Sequence, residues 1–463
     1  MVYYQDKVKE VKIAYIGGGS RGWAWGLMSD LALSEKMSGT VVLYDIDRKA
    51  AEDNAIIGNK YNQVEGCKAI WKYEVADSLK SALVGADAVI ISILPGTFDE
   101  MASDVHLPEQ YGIYQSVGDT IGAGGIVRAL RTIPMFEEIA LAIKEVCPNA
   151  WVINYTNPMT ICVRTLYKVF PQIKAFGCCH EVFGTQNFLC EVLDEINGIK
   201  GLKRGQLKCD VTGVNHFTWI TDVHYQDVDV MDSYRKFCEK YAKTGYWNNP
   251  DTNWMNSSFN SCQMIKMDLF QRFGIIAAAG DRHLAEFCPR DWYLKDPAQV
   301  ENWKYGLTTV QWRKEDLVRR LQKSFDIIHD KMQITINPSG EEGVKQLESL
   351  FGFHEFTTNM NIPNIGQISN LPLGAVVETN AVLRAGSLKP VFTGDIPKEI
   401  YALIAPIVEE QELVVEAGLE RDLEKAFTAF CMDKQITIPK TQARELFNKM
   451  IENTKTYLQD YLG

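Results

Sequence analysis

With 463 residues, 46% hydrophobic and 23% charged, the chain has the composition of a globular protein of roughly two to three domains. It is long enough to bury a core without disulfide staples. A formal net charge of −11 argues against nucleic acid, whose binding rests on Lys and Arg set against phosphates. It leaves room for a local basic pocket that holds an anionic small molecule. The 11 cysteines are an odd number without repeating spacing, and the start of the chain is polar with no apolar signal segment. This reads as a cytoplasmic protein with reduced thiols. No run of about 18 apolar residues occurs, so no membrane partner is expected.

Residues 11–16 are a short apolar run closed by glycines, a buried strand. Residues 21–33 carry apolar positions at helical spacing, 41–44 read as a second strand, and 47–60 as a helix rich in Ala, Glu and Lys. A β-branched run over 87–94 closes on Pro95-Gly96. A long amphipathic helix is expected over 127–146 and a strand over 151–154. A helix follows from Pro158, with proline in its first turn, and then a strand over 173–177. Strands alternating with helices predict βαβ units and a parallel sheet. Further on, 209–224 reads as strands, 232–243 as a helix, 245–258 as a polar loop and 264–279 as a helix. Residues 375–383 read as a strand, and 400–430 and 441–462 as helices. No repeat and no linker interrupts the chain. The expected architecture is α/β, a Rossmann-type doubly wound parallel sheet over residues 1–200 with an α+β domain over 201–463 packed tightly on it.

Gly17-Gly18-Gly19-Ser20-Arg21-Gly22 satisfies the G-x-G-x-x-G spacing between a predicted strand and a predicted helix. Glycine allows the tight turn and lets backbone N–H groups approach a pyrophosphate, which then meets a helix N-terminus. Asp45 ends the second strand, where an acid accepts hydrogen bonds from a ribose diol and repels the extra phosphate of NADP. Arg48 lies close by in sequence. Strand, glycines, helix and acid together point to NAD, against the plainer reading of a glycine turn.

Ligands of open α/β sheets sit outside the carboxyl ends of the strands. Three polar clusters are expected there: the glycine-rich stretch from Gly118 to Gly125, with Asp119, followed by Arg128 and Arg131; Asn154-Tyr155-Thr156-Asn157-Pro158; and Gly177-Cys178-Cys179-His180-Glu181-Val182; a fourth, Val214-Asn215-His216, ends a strand pattern further on. Cys179 and His216 are suited to share a transition metal, since thiolate and neutral imidazole both bind such ions. A buried cysteine and a hydrogen-bonded histidine would look the same. Asn154 and Asn157 equally suit turns and helix caps, Asp119 a turn cap, and the arginines a solvated face.

The ordered set of motifs resembles glycoside hydrolase family 4 over nearly the whole chain. It runs from Lys12-Ile13-Ala14-Tyr15-Ile16-Gly17-Gly18-Gly19-Ser20 through Gly122-Ala123-Gly124-Gly125-Ile126-Val127-Arg128-Ala129-Leu130-Arg131 to Asn154-Tyr155-Thr156-Asn157-Pro158. It continues with Cys179-His180-Glu181-Val182, Val214-Asn215-His216 and Ile368-Ser369-Asn370-Leu371-Pro372. The family is an NAD-dependent exception among glycosidases. The resemblance implies a lactate/malate dehydrogenase-like fold, NAD, and a divalent metal, usually Mn, held by Cys179 and His216 with substrate hydroxyls and water. It implies hydride removal from carbon 3 of the sugar and polarisation of the ketone by the metal. Loss of the carbon 2 proton to a base, expulsion of the aglycone, addition of water and return of the hydride follow.

The resemblance makes Asn157, with Asn154 and Glu181, contacts of the sugar, and His180 a proton donor or leaving-group contact. Some relatives carry a tyrosine base in the segment matching Gly280-Asp281-Arg282-His283-Leu284-Ala285-Glu286-Phe287. No tyrosine stands there in this chain, so Asp281 is the first candidate base and His283 the second, with Asp119 also in the catalytic set. A helix cap at Asp281 is the competing reading. Cys179-His180-Glu181-Val182 resembles the α-galacturonidase subgroup. A uronate carboxylate calls for an arginine clamp, for which Arg128, Arg131, Arg282 and Arg290 are candidates. The expected activity is hydrolysis of α-galacturonides by a dimer or tetramer. An α-glucuronidase or α-galactosidase of the same family is the alternative, and a net NAD-dependent dehydrogenase is more remote.

Overall fold

The computed structural model describes residues 1–247, 261–307 and 309–462. Most of the loop expected over 245–258 lies outside the described residues. Six strands lie side by side in the order Trp71–Val75, Met37–Tyr44, Lys7–Ile16, Ala88–Ile91, Trp151–Asn154 and Lys174–Gly177. All neighbours are parallel. Counted along the chain this is the 3-2-1-4-5-6 order of dinucleotide-binding sheets. Side chains alternate between two cores. Ile13 and Tyr15 pack on one face of the sheet, Ala14 and Ile16 on the other, as a sheet covered by helices on both faces requires.

The sheet takes strands from both sides of residue 200. Phe356–Pro363 adds to Lys174–Gly177 in antiparallel sense through Asn361 and Gly177. Val376–Arg384 and Ser387–Pro390 extend it further. A second sheet is built on the hairpin of Lys208–Val214 and Phe217–Tyr225, flanked by Val228–Asp229 and Ile276–Ala277.

Some elements differ from the pattern-based expectation. The helix expected from 127 begins five residues earlier, as Gly122–Val146, because its glycine-rich first turn packs too closely for side chains. The pattern over 264–279 stops at Phe273, where Gly274 takes φ 73° and ends the helix; Ile276–Ala277 then joins the second sheet. The pattern over 400–430 is two helices, Lys398–Glu420 and Leu423–Met432, broken where Arg421 turns left-handed and Asp422 caps the second. Helices Phe98–His106, Glu181–Asn197, Val310–Ile328 and Gly343–Leu350 carried no sequence assignment. All eleven cysteines are free, and among the described residues no helix is long and apolar enough to cross a membrane.

Register sets the site. Ile16 pairs with Ile91, Ile91 with Asn154, and Asn154 with Gly177. Four strands therefore end level, and the glycine loop, the Asn154–Asn157 turn and the Cys179 turn leave the same edge of the sheet.

Candidate active site

The glycine loop is held by backbone and by Asn54. Gly17 and Gly18 N–H donate to the Tyr44 carbonyl at 2.9 and 3.0 Å. Gly17 has φ 87° and faces the Ser92 carbonyl so closely that no side chain fits. Asn54 Nδ2 donates to the carbonyls of Gly18 (2.7 Å) and Ser20 (3.0 Å), and its Oδ1 accepts from Trp25 Nε1 at 2.8 Å. Helix Trp23–Leu33 starts at Gly22 with no side-chain cap and no acid in its first turn, which leaves its N–H groups facing outward for an anion. Asp45 accepts from Gly19 N–H at 2.8 Å and Asp47 N–H at 2.9 Å. Burial raises its pKa, against the pull of those two N–H groups. Arg48 turns to Glu52 and Asp77.

Three strands further along, the edge carries Cys179, and the hairpin of the second sheet carries His216. Val214 pairs with Phe217, so Asn215 and His216 form a two-residue turn, with His216 at φ 65°. Left-handed backbone is uncommon outside glycine and marks a position held by its surroundings. Cys179, 7% exposed, hydrogen-bonds with the Asn215 side chain, which joins the two motifs. Burial pushes its thiol well up, and Asn215 and the Glu181 backbone draw it back. Burial, then the neighbouring His283, depress His216 to about 3. Its imidazole is therefore neutral, the form that binds metals.

The hydrogen-bond network assigns the tautomer of His216. Thr120 Oγ1 donates to Asp119 Oδ1 at 2.7 Å and lies 2.9 Å from His216 Nδ1. The hydroxyl has one proton, given to Asp119, so Nδ1–H donates to it and Nε2 keeps its lone pair. Among the described residues no group of three or more His, Cys, Asp or Glu is arranged to hold a metal. Cys179 and His216 could supply two donors, which sugar hydroxyls and water would have to complete. The fit is supported by buried oxygens without protein partners beside it, Asn157 Oδ1 and Asn215 Oδ1. Asn157 Nδ2 donates to Asp119 Oδ2 at 3.2 Å. Burial would raise the Asp119 carboxyl, but His216, Arg128 and the Thr120 hydroxyl outweigh it and hold the group down at about 2.

His283 joins this cluster and Asp281 does not. The rings of His216 and His283 lie 3.8 Å apart, tilted at 32°. His283 Nε2 lies 3.4 Å from Glu181 Oε1, and Glu181 Oε2 accepts from Gly280 N–H at 2.6 Å. Burial opposes the charge of Glu181, yet His283 and His180 hold it well below the usual carboxylate range. The carboxylate of Asp281 accepts from Ile265 N–H (3.4 Å) and Lys266 N–H (3.1 Å), capping helix Met264–Phe273 from outside. The competing reading of Asp281 as a cap is thus close to its place, although the helix it caps is not its own. His180 is half-exposed, stacked on Trp23 at 5.8 Å with Nδ1 3.3 Å from Glu341. Burial lowers its pKa, but Glu341 and Glu181 more than offset this and raise it to about 9.

Three of the substrate candidates are used elsewhere. Arg131 makes a bidentate pair with Asp104, both buried (3.1 and 2.6 Å). Arg290 bonds Thr437 and the carbonyls of Gly112 and Lys295. Asn154 closes its own turn on Thr156, at 3.0 Å in each direction. Arg128 does reach the site: its Nε donates to the Asn157 carbonyl at 3.0 Å and it faces Asp119. Arg282, anchored on the Ser116 carbonyl at 3.0 Å, is lowered to about 10 by burial and then by neighbouring Arg313. Arg313, from helix Val310–Ile328, also faces Asp119. Sequence reading missed it because its helix received no assignment and Arg313 stands in none of the motifs.

The chain matches the model of the family 4 glycosyl hydrolases over residues 12–195, and that of the family 4 glycosyl hydrolase C-terminal domain over residues 211–436. It is 57% identical over 461 residues to the alpha-galacturonidase of Thermoanaerobacterium saccharolyticum, covering 100% of this chain and 99% of the relative. The crystal structure of lplD from Bacillus subtilis, described there as a glucosidase, superposes with a TM-score of 0.91 at 48% identity, covering 96% of this chain and 100% of that one. A 6-phospho-alpha-glucosidase from gut microorganisms, in complex with NAD and glucose-6-phosphate, gives a TM-score of 0.79 at 25% identity, covering 97% and 99%. The chain belongs to the family 4 glycosyl hydrolases.

Proposed function

We propose that this protein is an α-galacturonidase that works with NAD and a divalent cation, Mn first, on short α-galacturonides. The observation that carries the reading is the shared edge. The Gly17–Gly22 loop and the Cys179 turn leave level strand ends of one sheet, the hairpin turn of the second sheet carries His216, and relatives of the same full length bear the name alpha-galacturonidase.

When bound, NAD would take up and return a hydride at carbon 3 while the cation polarised the carbon 3 oxygen. The chain supplies the rest. Cys179 and neutral His216 would hold the cation, and Asn157 Oδ1 would accept from a sugar hydroxyl. His283, held by Glu181, is the base that takes the carbon 2 proton. His180, charged at neutral pH beside Glu341, gives a proton to the leaving oxygen at the mouth of the site. Arg128, Arg282 and Arg313 form a cationic wall suited to the uronate carboxylate. A thiolate ligand fits the reducing cytoplasm, and a dimer or tetramer is the expected assembly.

The test is a hydrolysis screen with NAD, Mn and a thiol reductant. Digalacturonate, an α-glucuronide and an α-galactoside are offered separately. Preferred cleavage of digalacturonate, with no build-up of NADH, is the expected result. Preference for either other glycoside would transfer the assignment within the family, and stoichiometric NADH would make the protein a net dehydrogenase.

A further inference from the structure

We infer that Arg320 belongs to the dinucleotide site and clamps the pyrophosphate from the C-terminal half of the chain; this rests on reading the glycine loop as an NAD site. Arg320 Nη1 donates to the carbonyl of Arg21, 299 positions earlier, at 2.5 Å. Its Nε donates to Asp316 Oδ2 at 2.7 Å, one helical turn back. The buried Asp316 is a bracket that fixes the plane of the guanidinium. Lys60 in turn ties the end of helix Val310–Ile328 to the Rossmann half, donating to the carbonyls of Ile327 and Ile328 at 2.9 Å each.

The third glycine of the fingerprint shows what this arrangement needs. Such a glycine ordinarily admits close packing of helix on strand. Here the three nearest atoms to a Cβ built on Gly22 all belong to the Arg320 guanidinium, and Nη1 would overlap it. Gly22 is bare so that an arginine can lie on the N-terminus of helix Trp23–Leu33.

That placement is unfavourable without an anion. A helix N-terminus carries roughly half a positive charge, and the first turn holds no acid. Arg320 adds a full charge that Asp316 offsets, with Arg313 and Arg319 close enough to oppose it. A diphosphate fits the gap. It brings two negative charges and oxygens in the geometry a guanidinium fork matches. The arginine would then link the cofactor to helix Val310–Ile328, which also carries Arg313 towards Asp119.

Calorimetric titration of the full-length protein, without metal or sugar, tests this with NAD, ADP-ribose and adenosine as probes. Arg320→Gln is expected to weaken NAD and ADP-ribose by on the order of tenfold to a hundredfold and to leave adenosine, which has no phosphate, unchanged. Gly22→Ala, which displaces the guanidinium, should act in the same direction. Arg320→Lys, which keeps charge but loses the fork, should lose less. If Arg320→Gln fails to fold by circular dichroism, the other two variants carry the comparison. NAD affinity in folded variants within about twofold of wild type, or equal losses for adenosine and NAD, would overturn the assignment. A wild-type protein that binds no NAD would instead overturn the cofactor reading beneath it.

Discussion

Glu181 Oε1 stands 3.4 Å from His283 Nε2 while its other oxygen holds the Gly280 N–H at 2.6 Å. The acid next to His180 in sequence thus orients an imidazole that lies against His216. On the proposed mechanism this carboxylate directs the base, as in acid–base pairs of active sites. His283→Asn is expected to lower kcat by on the order of a hundredfold or more. Glu181→Gln should cost roughly tenfold to a hundredfold through misorientation. Steady-state kinetics on digalacturonate check both; a kcat unchanged in His283→Asn would remove it from the chemistry.

Asp281 should behave differently. Its carboxylate holds the first-turn N–H groups of helix Met264–Phe273 and faces buried Lys266. Asp281→Ala is expected to destabilise the protein by about 1–3 kcal/mol and to leave kcat of the folded enzyme near wild type. Thermal unfolding alongside kinetics separates the two effects.

The metal pair predicts a dissociation of two affinities. Cys179→Ser and His216→Ala should each weaken Mn binding strongly and abolish metal-dependent hydrolysis, while NAD titrates as in wild type. Cys179 follows a different strand from the glycine loop and His216 lies on the second sheet, so loss of both ligands together would show that the variants disturb the surrounding structure instead. Full hydrolysis by Cys179→Ser would remove the metal assignment.

Glu286 gives a pH signature. It is buried and accepts from Val117 and Gly118 N–H at 2.7 and 2.9 Å on the loop leading to Asp119. Burial, only partly offset by those bonds, raises its pKa to about 7 from 4.5. Between these values the folded protein keeps a proton that the unfolded chain has released. Its contribution is therefore full below pH 4.5 and is lost as pH rises through about 7. Glu286→Gln stays neutral throughout. Its Tm relative to wild type should rise from pH 5 to pH 8; a constant difference would contradict the burial argument.

The local features were legible in the sequence and the long-range ones were not. The glycine loop, the strand ends and the Cys179 and His216 motifs each sit within a few residues of chain, so each was legible by itself, while the meeting of His216 on the second sheet with the Rossmann edge was not. Asp281, the first candidate base, caps a helix that starts before it in the sequence, a contact no local pattern encodes. Asn154 and Asn157 share a motif, yet one closes a turn and the other faces the site. Only register distinguishes them. Arg313 and Arg320 lie on a helix that received no sequence assignment, and Asn54 on one read only as a helix. Their roles come from packing across as many as 299 positions. The strand over 375–383 was legible as a strand, but its place on the edge of the Rossmann sheet depends on the pairing of Asn361 with Gly177.

Turnover of digalacturonate in deuterium oxide tests the central claim most directly. Removal of the carbon 2 proton by His283, followed by addition of water, exchanges that position with solvent. The account predicts deuterium at carbon 2 of the released galacturonate, with NADH never exceeding the enzyme concentration. Product without deuterium at carbon 2 would contradict it, since direct displacement at carbon 1 leaves that hydrogen in place.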